Sequence, residues 1–179
     1  MITVISGTNR QKSECLGFAT LYYDMLRELA PEEEVKLLAL EQIPHDWFHP
    51  EMFSKQSESL GRIQDEYLLP ADKLVFVTPE YNGSIPGSVK LFIDGCSVRE
   101  YSRNFQQKKA ALVGIASGRS GNLRGMEHLT SILNYLGAII MPHKLPISSI
   151  YKLKNGNGEI ADADTLSVMR KHAAAFLAF

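Results

Sequence analysis

Short apolar runs rich in β-branched residues alternate with stretches of helical spacing, and this alternation limits the possible folds more than any single motif does. Ile2-Thr3-Val4-Ile5 is the first such run and closes at Gly7. From Ser13 to Leu29, residues Leu16, Ala19, Leu21, Met25, Leu26 and Leu29 recur at helical spacing until Pro31 ends the helix. Val35–Leu40 reads as a second strand, and Ser54–Leu69 as a helix stopped by Pro70. Leu74–Thr78 is a third strand, apolar on both faces and therefore central. Helical spacing resumes from Ser88 to Ile93. Ala110–Ala116 is a fourth, buried strand, followed by a helix from Leu123 to Leu136 closed by Gly137. Ala138–Met141 is a fifth strand, and the last helix runs from Asp164 to Phe179, with Asp162 or Asp164 as its N-cap. Five strands separated by helices predict a doubly wound α/β domain whose parallel sheet is covered on both faces. No linker-like stretch interrupts the series, so residues 1–179 are expected to form one domain.

Composition narrows the function classes. Nineteen Lys and Arg against twenty Asp and Glu give a net charge of −1, too little field to recruit nucleic acid or an anionic membrane. Two cysteines, Cys15 and Cys96, make neither a disulfide framework nor a zinc cluster. The start of the chain carries no basic segment followed by a long apolar core, and no apolar run approaches the roughly 20 residues of a membrane helix. A reduced, cytoplasmic protein is expected. The five histidines show no metal-ligand spacing. Trp47-Phe48, between two prolines, reads as an exposed aromatic pair suited to an interface or a pocket wall.

Ligands of doubly wound sheets bind outside the carboxyl ends of the strands, which directs attention to three loops. Gly7-Thr8-Asn9-Arg10-Gln11-Lys12-Ser13 joins the first strand to the first helix. Its hydroxyls, Arg10 and the free N–H groups of the helix start make a cradle for a terminal phosphate, and the same residues also suit a plain capped helix start. The loop is neither GxGxxG nor GxxxxGK[ST]. The second loop, Thr78 to Gly87, combines two prolines, Tyr81, Asn82 and Gly83, so a stiff backbone presents a flat ring and free amides to a planar heterocycle. Glu80 reads as a brace for this loop or a contact with a neighbouring subunit. The third loop, Ser117-Gly118-Arg119-Ser120-Gly121, offers amides and a charge beside the same position, or a flexible connector with a solvated arginine.

At these residues the chain resembles the NADPH-dependent FMN reductase family of flavodoxin-like proteins, a group that includes azobenzene, quinone and chromate reductases. Pro79-Glu80-Tyr81-Asn82-Gly83-Ser84-Ile85-Pro86-Gly87-Ser88-Val89-Lys90, followed by Ile93-Asp94, resembles the family's PEYNxSxPGxLK…ID signature. Gly7-Thr8-Asn9-Arg10 with Ser13 is similar to its GSxRxxS loop, with Thr8 keeping the hydroxyl. Gly121-Asn122 stands where the family often has Gly-Gly, and Gly95-Cys96 where it often has a Trp.

The resemblance implies a flavodoxin-like five-stranded sheet of order 2-1-3-4-5 and a homodimer or homotetramer. It implies FMN with its phosphate on Thr8, Arg10 and Ser13. The ring then lies on Pro79, Glu80, Tyr81, Asn82, Gly83 and Ser84, with Ser117, Gly118 and Arg119 at the pyrimidine end. NADPH or NADH is the implied electron donor, and a quinone, azo compound, metal oxyanion or free flavin the implied small acceptor. No protein side chain is expected to do the chemistry, because hydride transfer to a flavin needs no general base. The competing expectation is a flavodoxin-type FMN electron carrier without direct NAD(P)H oxidation. Such carriers are usually acidic, unlike this chain.

Overall fold

The computed structural model describes residues 1–179. Strands β1 (Ile2–Ser6), β2 (Val35–Ala39), β3 (Lys73–Pro79) and β4 (Lys109–Ile115) alternate with helices α1 (Glu14–Leu29), α2 (Glu58–Ile63), α3 (Gly87–Cys96) and the short α4 (Tyr101–Asn104). Helix α5 (Leu123–Tyr135), two short strands β5 (Ile139–Ile140) and β6 (Leu145–Ile147), and α6 (Ala163–Ala178) complete the chain. All strand pairs are parallel, in the order β2-β1-β3-β4-β5, as the resemblance implied. The register aligns Val4 with Val75 and Val75 with Ala111 across the three inner strands.

The fifth position of the sheet is shared rather than filled by one strand. β5 pairs with Lys109-Ala110 at the start of β4, and β6 pairs with Val113–Ile115 at its end. Met141 still donates its N–H to Ala110 O at 2.8 Å, but Pro142 follows with no N–H to give. The chain therefore leaves the ladder and rejoins it at Leu145.

Burial follows the strand period. Leu74, Phe76, Ala110 and Leu112 face one layer with α2, α3 and α5, while Val75, Val77, Ala111, Val113 and Ile115 face the other with α1 and α6. The caps match the sequence. Ser13 Oγ accepts from Cys15 N–H at 3.1 Å, Asp162 rather than Asp164 caps α6 through Thr165 N–H at 2.8 Å, and Gly137 takes a φ of 84° just beyond α5.

Two local expectations need correcting. The helix expected from Ser54 begins at Glu58, because Ser57 caps it and receives Leu60 N–H at 3.4 Å. It then passes into a π-helical turn at Gln64–Leu68, where fully buried Gln64 reaches Cys96 O, Arg99 O and Asn104 Oδ1. Of the aromatic pair, Phe48 is exposed but Trp47 is buried, its ring 5.7 Å from that of Phe92. No helix is long and apolar enough to cross a membrane.

Candidate functional site

The loops after β1, β3 and β4 meet at the carboxyl edge of the sheet. Gly7 sets the approach of the first. It donates its N–H to Val77 O at 2.8 Å, and a Cβ there would lie 2.7 Å from Thr78 Cγ2. Only glycine lets the chain pass this close to β3. Thr8 is fully buried. Its hydroxyl contacts the Tyr81 hydroxyl at 3.0 Å and accepts from Arg10 N–H at 3.2 Å, so it ties the first loop to the second. Arg10 and Lys12 are exposed, and Lys12 takes a left-handed φ of 55° before α1 begins. The N–H groups of Asn9, Gln11 and Lys12 have no protein acceptor. Ser13 N–H points at Glu41 Oε2 at 3.4 Å, so a carboxylate already lies against this helix start.

In the second loop, Glu80 N–H donates to Ile115 O at 2.9 Å, and its carboxylate accepts from the Ser120 hydroxyl. Glu80 thus braces the second loop against the third. Tyr81 and Ser84 exchange both backbone hydrogen bonds, at 2.9 and 3.0 Å, around Asn82 and Gly83 with φ of 52° and 75°. This is the geometry of a tight primed hairpin turn. Of the amides expected to be free in this loop, the turn engages that of Ser84 and leaves those of Asn82 and Gly83 without an acceptor. Ser84 Oγ turns instead to His128 Nδ1 at 2.8 Å.

The third loop is held from behind. Ser149 N–H donates to Gly118 O at 2.9 Å and Ile150 N–H to Ala116 O at 3.2 Å. The N–H groups of Ser117, Gly118 and Arg119 point away from any protein acceptor. Asn122 closes the loop in the left-handed region, φ 62°, with Nδ2 donating to Thr78 O at 3.0 Å. Asparagine tolerates that region better than most residues, which accounts for its standing where the family often has glycine. Gly95 has a packing reason of its own, since a Cβ there would come within 2.6 Å of Leu60 Cδ2 on α2.

A cleft of about 250 Å³ lies between these loops. Arg10, Ser13, Pro79, Glu80, Tyr81 and Ser117 line it. Thr8 stands behind the wall, Asn82, Gly83 and Ser84 continue the rim towards α5, and Gly118 and Arg119 sit on the exposed crest of the third loop. Lys12, Glu14 and Tyr151 also line the cleft. Sequence reasoning missed them, and Tyr151 carried no local signal, because its place depends on β6 returning alongside β4. Cys15 sits just beneath this edge. Its Sγ–H donates to Val77 O at 3.0 Å, and burial pushes its pKa up to about 12, so it stays a packed thiol at neutral pH.

Known proteins match this arrangement. An NAD(P)H-dependent FMN reductase from Pseudomonas aeruginosa is 37% identical over 100 residues, which is 54% of this chain and 52% of that protein. A quinone reductase from Escherichia coli is 33% identical over 113 residues, covering 62% of this chain and 60% of the relative. The match thus spans half to two thirds of the length of these curated relatives. Among solved structures, the flavoenzyme NAD(P)H:acceptor oxidoreductase FerB from Paracoccus denitrificans superposes with a TM-score of 0.72 at 26% identity, over 99% of this chain and 94% of that one. The family described as NADPH-dependent FMN reductase matches residues 1–152, from β1 through all three loops and both pieces of the sheet edge. With its loops, sheet order and sequence in agreement, the chain belongs to the NADPH-dependent FMN reductase family.

Proposed function

We propose that the protein is an NAD(P)H-dependent FMN oxidoreductase that reduces a small acceptor, with a quinone or an azo compound the best-supported classes. The observation carrying this reading is the cleft, which has unpartnered backbone N–H groups at both ends and a stiff aromatic loop between them. The residues present fit FMN. At the start of α1 three free amides, Arg10 and Lys12 face the cleft, and the Glu14 carboxylate beside them is paired with Lys154. These amides and cations are the donor set a terminal phosphate needs. Glu41 already places one negative oxygen at that helix end, and a more highly charged phosphate would displace it. At the other end, the amides of Ser117, Gly118 and Arg119 suit the carbonyl oxygens of a flavin pyrimidine, where they would stabilise negative charge. Thr8 acts through Tyr81, fixing the ring that floors the cleft.

FMN, when bound, supplies the two-electron chemistry between NAD(P)H and the acceptor. The chain's own residues bind and orient it, and they leave one side of the cleft open. Donor and acceptor then occupy the same place in turn, which gives ping-pong kinetics. The family resemblance further supports a cytoplasmic homodimer or homotetramer. An exposed groove between α3 and α5, flanked by Tyr101 and Tyr135, offers an apolar face for such assembly.

The test is spectroscopic. Titration of FMN into the purified protein quenches flavin fluorescence, and stopped-flow mixing with NADPH then bleaches the bound flavin within the turnover time. Absence of quenching removes the FMN reading. Quenching without bleaching replaces the reductase by an electron carrier.

A further inference from the structure

Most arginines of this chain are engaged within it. Arg62 meets Glu58, Arg99 meets Asp65, Arg103 meets Glu100, Arg170 meets Glu28, and Arg27 lies over the Tyr23 ring. The remaining ones, Arg10, Arg119 and Arg124, have guanidinium groups without any carboxylate, carbonyl or aromatic partner. All three stand at the carboxyl edge of the sheet. Arg10 belongs to the α1 end of the cleft, whereas Arg119 and Arg124 bracket the opposite end, on the third loop and the first turn of α5.

Arg124 is placed against its own stability. The positive end of the helix dipole disfavours a cation in the first turn, and that turn holds no acidic residue to compensate. Glu127, the only carboxylate of α5, is occupied by Lys144 at 2.6 Å, and Glu80 is occupied by Ser120. One Nη atom of Arg124 lies 3.7 Å from the point a Cβ on Gly83 would occupy, so the guanidinium overhangs the hairpin turn beside the cleft. His128, one helical turn further on, grips the same hairpin through Ser84. An unneutralised guanidinium held against a rigid turn, with a second free one, Arg119, on the exposed loop that precedes its helix, is suited to phosphate.

We propose that Arg119 and Arg124 form a second phosphate-recognition point, across the Asn82–Ser84 turn from the start of α1, which takes the phosphates of the dinucleotide donor. This rests on the reductase reading given above. The two ends divide the work: the helix start holds the cofactor's single phosphate, and the guanidinium pair draws in the donor with its base over the open side of the cleft. The contacts are exposed and charge-based, so donor binding weakens as salt rises.

Calorimetry on the FMN-loaded protein tests this with two redox-inert probes, adenosine 2′,5′-bisphosphate and ADP. In the Arg119→Ala/Arg124→Ala variant we expect binding of at least one probe to fall about tenfold or more, the scale of losing a charge-assisted contact. The KM for NADPH should rise in parallel, and the Arg124→Ala single variant, which leaves the third loop intact, should raise that KM with kcat and FMN affinity at wild-type values. Arg124→Lys should recover part of the loss. A loss confined to the bisphosphate assigns the site to a 2′-phosphate, and a loss shared by ADP assigns it to the pyrophosphate. Unchanged probe affinities and unchanged KM for NADPH in the double variant, with FMN still bound and still bleached, overturn this inference alone. A wild-type protein that does not bind FMN overturns the reductase reading instead.

Discussion

At the scale of single residues, charge and burial decide which groups can take part in the chemistry. Arg10 is exposed and unpaired at the start of α1, so nothing in the protein competes for its guanidinium. A charge-assisted hydrogen bond is worth about 1.5–3 kcal/mol, and solvent exposure places this one at the lower end. Arg10→Ala should therefore weaken FMN binding about tenfold in a fluorescence titration, with the thermal midpoint of the apoprotein unchanged. An unchanged dissociation constant would remove Arg10 from the site. The cysteines are the reverse case. Burial pushes the Cys15 thiol up to about 12 and raises that of Cys96 further, despite the nearby Arg99 charge. Neither forms thiolate at neutral pH, so a thiol reagent at pH 8 should label the native protein hardly at all and label two thiols per chain once guanidinium unfolds it. Rapid labelling of the native protein would show that the packing over α1 or the end of α3 opens to solvent.

Elements explain how the three loops keep their relation to one another, and here Asn122 is the joint. It holds the left-handed turn before α5 and donates to Thr78 O, the carbonyl at the end of β3. Asn122→Ala forces a Cβ-bearing residue without a polar side chain into that region, about 1–2 kcal/mol, and removes the hydrogen bond to Thr78 O, about 0.5–1.5 kcal/mol. Asn122→Gly keeps the turn and loses only the hydrogen bond. Chemical denaturation should order the three proteins wild type, Gly, then Ala, and equal stability of the two variants would show that backbone conformation contributes nothing here. The same distinction explains how far the fold was legible in the sequence. Strands β1 to β4, the Ser13 cap and the Gly137 stop depend on local pattern, and each lies where periodicity and cap chemistry place it. The three loops could be located because they follow directly from those strands. Tertiary returns could not be read. Trp47 is buried because α3 brings Phe92 to it, and Gln64 sits in a π-turn because Asn104 and Arg99 supply its partners from far along the chain. Tyr151 reaches the cleft only through the interrupted edge strand. The internal hydrogen bond that takes the Ser84 N–H depends on a turn type that Asn82-Gly83 permits without dictating.

For the whole molecule, α6 is the element that ties the two ends together, although it lies beyond the residues matched by the family. Ala173 and Phe176 fill the core against α1. Lys73 Nζ, from the start of β3, donates to Phe176 O and Leu177 O, and Lys109 reaches Phe179 O, so cations sit at the carbonyl end of the helix as its dipole favours. His172 completes the tie. One ring nitrogen, Nε2, must donate to His143 O at 2.8 Å, which makes Nδ1 the acceptor for the Tyr22 hydroxyl at 2.7 Å. That arrangement requires the neutral ring. Burial lowers its pKa first of all, the His143 carbonyl opposes that shift, and the charge of a protonated His143 adds to it. Tyr22 is driven in the opposite direction by burial and stays protonated. The sign follows from linkage: below about pH 6.5 the unfolded chain binds a proton at this position that the native state resists. The stabilisation is therefore complete above that pH and is lost as pH falls from there through the lowered native value. Thermal unfolding should show a midpoint that is flat from pH 8 to 7 and declines towards pH 5. His172→Gln can offer an amide donor to the His143 carbonyl and an acceptor to Tyr22 without titrating. It should be less stable than wild type at pH 7.5 but lose less between pH 7 and 5, so that the two curves converge. Parallel curves would assign the acid sensitivity to other groups and leave the α1–α6 contact as apolar packing alone.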